Sequence, residues 1–177
     1  MKMNKIFTNS VMKLLVPFIL LFLMLFDGQL SNMLRHVTDN TIYFNSHLFL
    51  IGLIISSLYF DKRYVMIVSL VLGAIFDWHY YNIIGINIVV LPLTVLFIYV
   101  VFKYVKPTIF TLLMSLVVFI TVMDGTAYLL QVIFKLTNPA FQKFITNNIG
   151  PTLIMNIAIC ILFSYPLNKL IEKRSHD

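Results

Sequence analysis

The feature that most constrains this chain is the length of its uncharged apolar runs. Between Lys13 and Arg35 lie 21 residues whose only charge is Asp27, and between Asp39 and Asp61 lie 21 with none. A helix needs about 20 apolar residues to cross a hydrocarbon core about 30 Å thick, so each run reads as one span. From Tyr64 to Phe102 there are 39 residues with Asp77 as the single charge, too many for one helix. That run has to fold back once. Trp78 to Gly85, rich in aromatics, Asn and Gly, is the expected turn, because Trp and Tyr favour the headgroup level. A fifth run extends from Pro107 to Phe134 and carries only Asp124, with Pro107 expected in its first helical turn. A sixth begins near Pro151.

These runs predict an all-α integral membrane protein: one transmembrane domain over residues 1–177, a bundle of six transmembrane helices. The expected spans are approximately 14–34, 41–60, 64–80, 84–102, 107–134 and 150–168. Composition agrees, with 60% hydrophobic and 11% charged residues against about a quarter charged in soluble domains. The net charge of +6 is spread in ones and twos between the runs, which makes it a topology signal rather than a nucleic-acid surface. Ten basic residues (Lys2, Lys5, Lys13, Lys62, Arg63, Lys103, Lys106, Lys169, Lys173 and Arg174) fall on the side of the termini. Three, Arg35, Lys135 and Lys143, fall on the other. The positive-inside rule then places both termini in the cytoplasm. The basic N-terminal segment resembles a signal peptide but is followed by no small-residue cleavage site, so it is expected to be a retained first span. With Cys160 as the lone cysteine, no disulfide can form within one chain.

Three carboxylates interrupt the spans. Asp27 is 14 residues past Lys13, Asp77 is 14 past Arg63, and Asp124 is 18 past Lys106. At 1.5 Å per residue all three reach a similar depth, roughly 20 to 27 Å from the basic side. An Asp at the centre of a span costs about 2.5 to 3.5 kcal/mol, so each should face protein, water or a partner. The histidines are a weaker signal. His47 and His79 have no companions at metal-ligand spacing, and no metal or cofactor is expected. Isolated serines without a Gly-x-Ser-x-Gly elbow give no support to a hydrolase, and the chain is not expected to be an enzyme.

The stretch GAIFD at 73–77, a Gly at 85 after seven intervening residues, and LPLT at 91–94 form a recognisable pattern. A second one lies in GPTLIMN at 150–156, leading to YPLNKLIEKR at 165–174. Together they resemble the bacterial rod shape-determining MreD family over nearly the whole chain. The resemblance implies a non-enzymatic adaptor in the cell membrane, part of the elongation machinery that directs peptidoglycan synthesis. Its implied partner is MreC, a single-span protein with an extracytoplasmic domain. The implied wider complex contains MreB where present, RodA and a transpeptidase, and the implied fold is similar to that of ECF transporter S components. The motif residues also make sense without the name. Gly73 lies one turn before Asp77, which allows a neighbouring backbone to approach the carboxylate. Pro151 is expected to open the sixth span without losing a needed donor, and Asn156 can hydrogen-bond across helices. Gly73, Asp77, Gly85, Pro151 and Asn156 are therefore the candidate partner-binding or bundle-organising residues, with Asp27 and Asp124 as further candidates. The competing reading is a small-molecule-binding component of a transporter, with the carboxylates lining a ligand cavity.

Overall fold

The computed structural model describes residues 2–38, 43–81, 85–136 and 141–162. Among the described residues every regular element is helical. The helices are α1 (Lys2–Val37), α2 (Leu48–Tyr59), α3 (Lys62–Phe76), α4 (Asn87–Tyr104), α5 (Ile109–Ile133) and α6 (Phe141–Leu162). A π turn, Asp77–Tyr81, prolongs α3, and a second, Ile145–Ile149, lies inside α6.

Four of these helices are long and apolar enough to cross a membrane: Val11–Val37, Asn87–Tyr104, Phe110–Ile133 and Phe141–Leu162. The chain is thus a helical membrane protein. The second expected span, 41–60, is not a single helix. Residues 43–47 are irregular, and α2 has only 12 residues, about 18 Å of rise. Its surroundings explain how so short a helix persists. Eight of the 12 residues are buried, on all sides, including Leu50, Leu53 and Ile54, so α2 forms the centre of the bundle. Leu20 and Met24 of α1, Val68 and Leu72 of α3, Leu91 and Val95 of α4, and Leu116 and Phe119 of α5 close the core around it. α1, by contrast, leaves Leu14, Phe18, Phe22 and Phe26 exposed, the side-chain chemistry of a face turned to lipid.

The prolines behave differently from the expectation. Pro107 lies outside the first turn of α5; Thr108 is the N-cap, with its hydroxyl accepting from the Thr111 amide at 3.2 Å. Pro151 does not open the last helix, which begins at Phe141. A proline inside a helix leaves the carbonyl four residues earlier without its donor, and here that is Asn147. The Tyr43 amide donates to this carbonyl at 2.8 Å, so the vacancy anchors the irregular 43–47 segment to α6. Pro17 inside α1 does the same at the other end of the bundle: the freed Lys13 carbonyl accepts the Tyr64 hydroxyl of α3. Both helices continue because a neighbour satisfies the backbone. The last expected span extends to 168, of which 163–168 lie outside the described residues, as does 82–84 in the turn between α3 and α4.

Candidate functional site

Two polar nodes are built into the bundle, each around a buried aspartate. The first joins α3 to α4. Asp77 is fully buried, and its carboxylate receives four hydrogen bonds. Oδ1 accepts from the Asn87 amide at 2.8 Å and from Asn87 Nδ2 at 2.9 Å. Oδ2 accepts from the Gly85 amide at 2.9 Å and the Ile88 amide at 3.2 Å. The first amides of a helix have no intrahelical acceptor, and the residue before α4, Ile86, offers no side-chain cap. Asp77 therefore caps α4 from the end of the preceding helix, with its negative charge at the positive end of the helix dipole. Gly73 makes this possible. A Cβ there would stand 2.5 Å from the Asn87 carbonyl oxygen, so only glycine lets α4 come this close. Gly85 adopts φ +144°, a conformation that glycine accepts without strain.

The second node holds segment 43–47 and the start of α2. Asp27 of α1 accepts from the Ser46 hydroxyl at 2.6 Å and the Leu48 amide at 3.1 Å through Oδ1, and from the Phe49 amide at 2.7 Å through Oδ2. It caps α2 as Asp77 caps α4. From α6, Asn156 Oδ1 accepts the His47 amide at 2.8 Å, while its Nδ2 donates to the Asn45 carbonyl at 2.7 Å. One turn earlier, Thr152 Oγ1 accepts the Asn45 amide at 3.1 Å. Ser31 accepts the Ser46 amide at 3.0 Å. Asp124 of α5 completes the node through His47, with Nε2 and Oδ2 3.2 Å apart. An irregular backbone at membrane depth is tolerated only where protein or a water-filled cavity satisfies it, and these side chains do so.

The candidates thus separate into two groups. Gly73, Asp77 and Gly85 meet at the α3–α4 junction; Asp27, Asp124 and Asn156 converge on segment 43–47, and Pro151 serves the same segment through the Asn147 carbonyl. Thr152, Ser31, Ser46 and Asn45 were not singled out from the sequence. Thr152 had a signal, since it stands four residues before Asn156 on the same helical face. Ser31 had the same signal, four residues after Asp27 on α1; Ser46 and Asn45 act from the irregular segment and had none. Between the nodes lies a cavity of about 900 Å³, bordered by Asp27, Arg35, His47, Asn87, Asp124, Tyr128 and Lys143 among others. No group of three or more His, Cys, Asp or Glu side chains placed to hold a metal ion occurs among the described residues.

The fold and these nodes define a helical membrane protein whose buried polar residues fasten one helix to the start of another. Comparison with known proteins gives it a family. The profile of the family described as rod shape-determining protein MreD matches residues 9–174, and the chain belongs to that family. It is 22% identical over 156 residues, 88% of this chain and 92% of the relative, to a cell shape-determining protein MreD of Streptococcus pneumoniae (strain ATCC BAA-255 / R6). No solved structure matches the chain. Membership places the protein among those that determine cell shape.

Proposed function

We propose that the protein is a non-enzymatic adaptor of the cytoplasmic membrane that binds an MreC-like single-span protein and so joins the elongation complex, with RodA, a transpeptidase and, where present, MreB. The observation that carries this reading is the family match over residues 9–174. The nodes support it: Asp27 and Asp77 are occupied in fixing the chain's own backbone, as suits a rigid platform for partner helices. In this reading the chain crosses the membrane six times with both termini in the cytoplasm. The second crossing combines α2, about 18 Å long, with the irregular segment before it, which reaches roughly 15 Å when extended. Together they match the hydrocarbon thickness of about 30 Å.

The adaptor reading is tested by purifying the tagged full-length protein from native membranes in mild detergent and identifying what accompanies it. The expected companion is a single-span protein with an extracytoplasmic domain, and depletion of the chain is expected to disturb cell shape. The polar cavity favours a second reading, a ligand-binding component of a transporter. Recovery of an ATPase or transporter subunit, with normal shape on depletion, would replace the adaptor by that reading.

A further inference from the structure

The polar groups around the cavity are matched unevenly. Its carboxylates are occupied: Asp27 receives Ser46 and the first amides of α2, and Asp124 is paired with His47. The two buried side-chain atoms left without a partner among the described residues can both donate, and positive charge stands beside them. Tyr128 is 9% exposed, with its ring stacked on Phe144 at a centroid distance of 4.1 Å, yet its hydroxyl has no partner among the described residues. Arg35 lies 4.8 Å over the ring of Tyr43, and its buried Nε also lacks an acceptor among the described residues. Lys143 borders the same space, and neither cation is paired with a carboxylate among the described residues. Buried polar groups are rarely left unmatched without a reason such as an absent ligand, and about 900 Å³ is the size of a small-molecule site.

We propose that this cavity binds an oxyanion, with its oxygens received by the Arg35 guanidinium, the Tyr128 hydroxyl and the Lys143 ammonium. An oxyanion supplies acceptors and negative charge and no donors, which is what these groups lack. Arginine matches such a group through its planar donor fork, and the aromatic rings of Tyr43, Tyr128 and Phe144 hold the donors in place. The phosphate of an anionic lipid headgroup and that of a free small molecule share this chemistry. The site is a property of the single chain and does not depend on the adaptor reading.

The test uses the full-length protein in dodecyl maltoside micelles, which carry no phosphate. Inorganic phosphate is titrated against thermal stability in one arm, and phosphatidylglycerol is added to the micelles and its retention followed by native mass spectrometry in the other. Saturable stabilisation by phosphate identifies a soluble ligand. Retention of one phosphatidylglycerol per chain without a phosphate response identifies a headgroup. In whichever arm responds, Tyr128→Phe and Lys143→Gln are each expected to weaken binding by about tenfold, the size of one lost charge-assisted hydrogen bond. Lys143 is exposed, so its variant keeps the fold and the test remains decisive even if Tyr128→Phe does not fold. Wild-type protein that responds to neither probe, or binding unchanged in folded variants, would overturn the proposal. So would a partner polypeptide crosslinking to a photoreactive residue at position 128. Because the assay is scored on the isolated chain, its failure leaves the capture of an MreC-like partner untouched.

Discussion

Asp77 and Asp27 perform the same local task in different settings. Asp77 stands at the end of α3 and Asp27 nearly three turns before the end of α1, and each caps the start of the next helix. Asp77 does so within 11 residues of chain, in a fully buried junction closed by Gly73. Asp27 reaches 22 residues ahead to Phe49 and shares the work with Ser31, Thr152 and Asn156, beside a cavity of about 900 Å³. A compact junction has one support, and removing it leaves several donors stranded. A distributed one has many, and each counts for less.

The comparison predicts a graded series of effects. Asp77→Leu should be the most damaging change, because it strands the Gly85, Asn87 and Ile88 amides at once. A cost of about 3 kcal/mol or more should appear as loss of the protein from the membrane. Asp77→Asn keeps one acceptor and should be milder. Gly73→Ala comes next. Its Cβ would press on the Asn87 backbone at 2.5 Å, and separating α3 from α4 should cost about 1 to 3 kcal/mol, measured as a lower melting temperature in detergent. Asn156→Ala should cost about 1 to 2 kcal/mol. It should also speed amide hydrogen exchange at His47 specifically, because Asp27 and Thr152 remain in place. If Asn156→Ala is more harmful than Asp77→Leu, the contrast between the nodes is wrong. Gly125→Ala should change least, within about 0.5 kcal/mol, since no atom beyond the adjacent backbone of its own helix and its chain neighbours lies within 4 Å of the added Cβ.

Much of the fold was legible because a membrane imposes a length on every apolar run. Among the described residues, each of the six helices overlaps an uncharged run. The Asp77 node was legible for a related reason: Gly73, Asp77 and Gly85 are close in sequence, so spacing alone brings them together. The second node was hidden. Its hydrogen bonds join residues up to 111 apart, and nothing in residues 41–60 marks where helix gives way to an irregular segment. An apolar run shows that a stretch is buried and leaves its backbone conformation open. Pro151 misled for a similar reason. A proline after a polar loop reads as a helix start, whereas here the carbonyl that it releases is occupied by Tyr43 from a segment over a hundred residues away. Arg35 and Tyr128 gave no sign of a shared cavity, since an arginine at a span's end reads as a topology signal and a tyrosine as interface.

The central claim is that the buried carboxylates act by supporting the fold on which the adaptor role depends. The most direct measurement is to replace the chromosomal copy with Asp77→Asn at matched membrane abundance and to record cell shape and capture of the MreC-like partner. The account predicts that both follow stability, so an Asp77→Asn protein that melts within a few degrees of wild type restores shape and partner. A variant with normal abundance and melting temperature that has lost both would contradict it, and would mean that the charge itself is used in function.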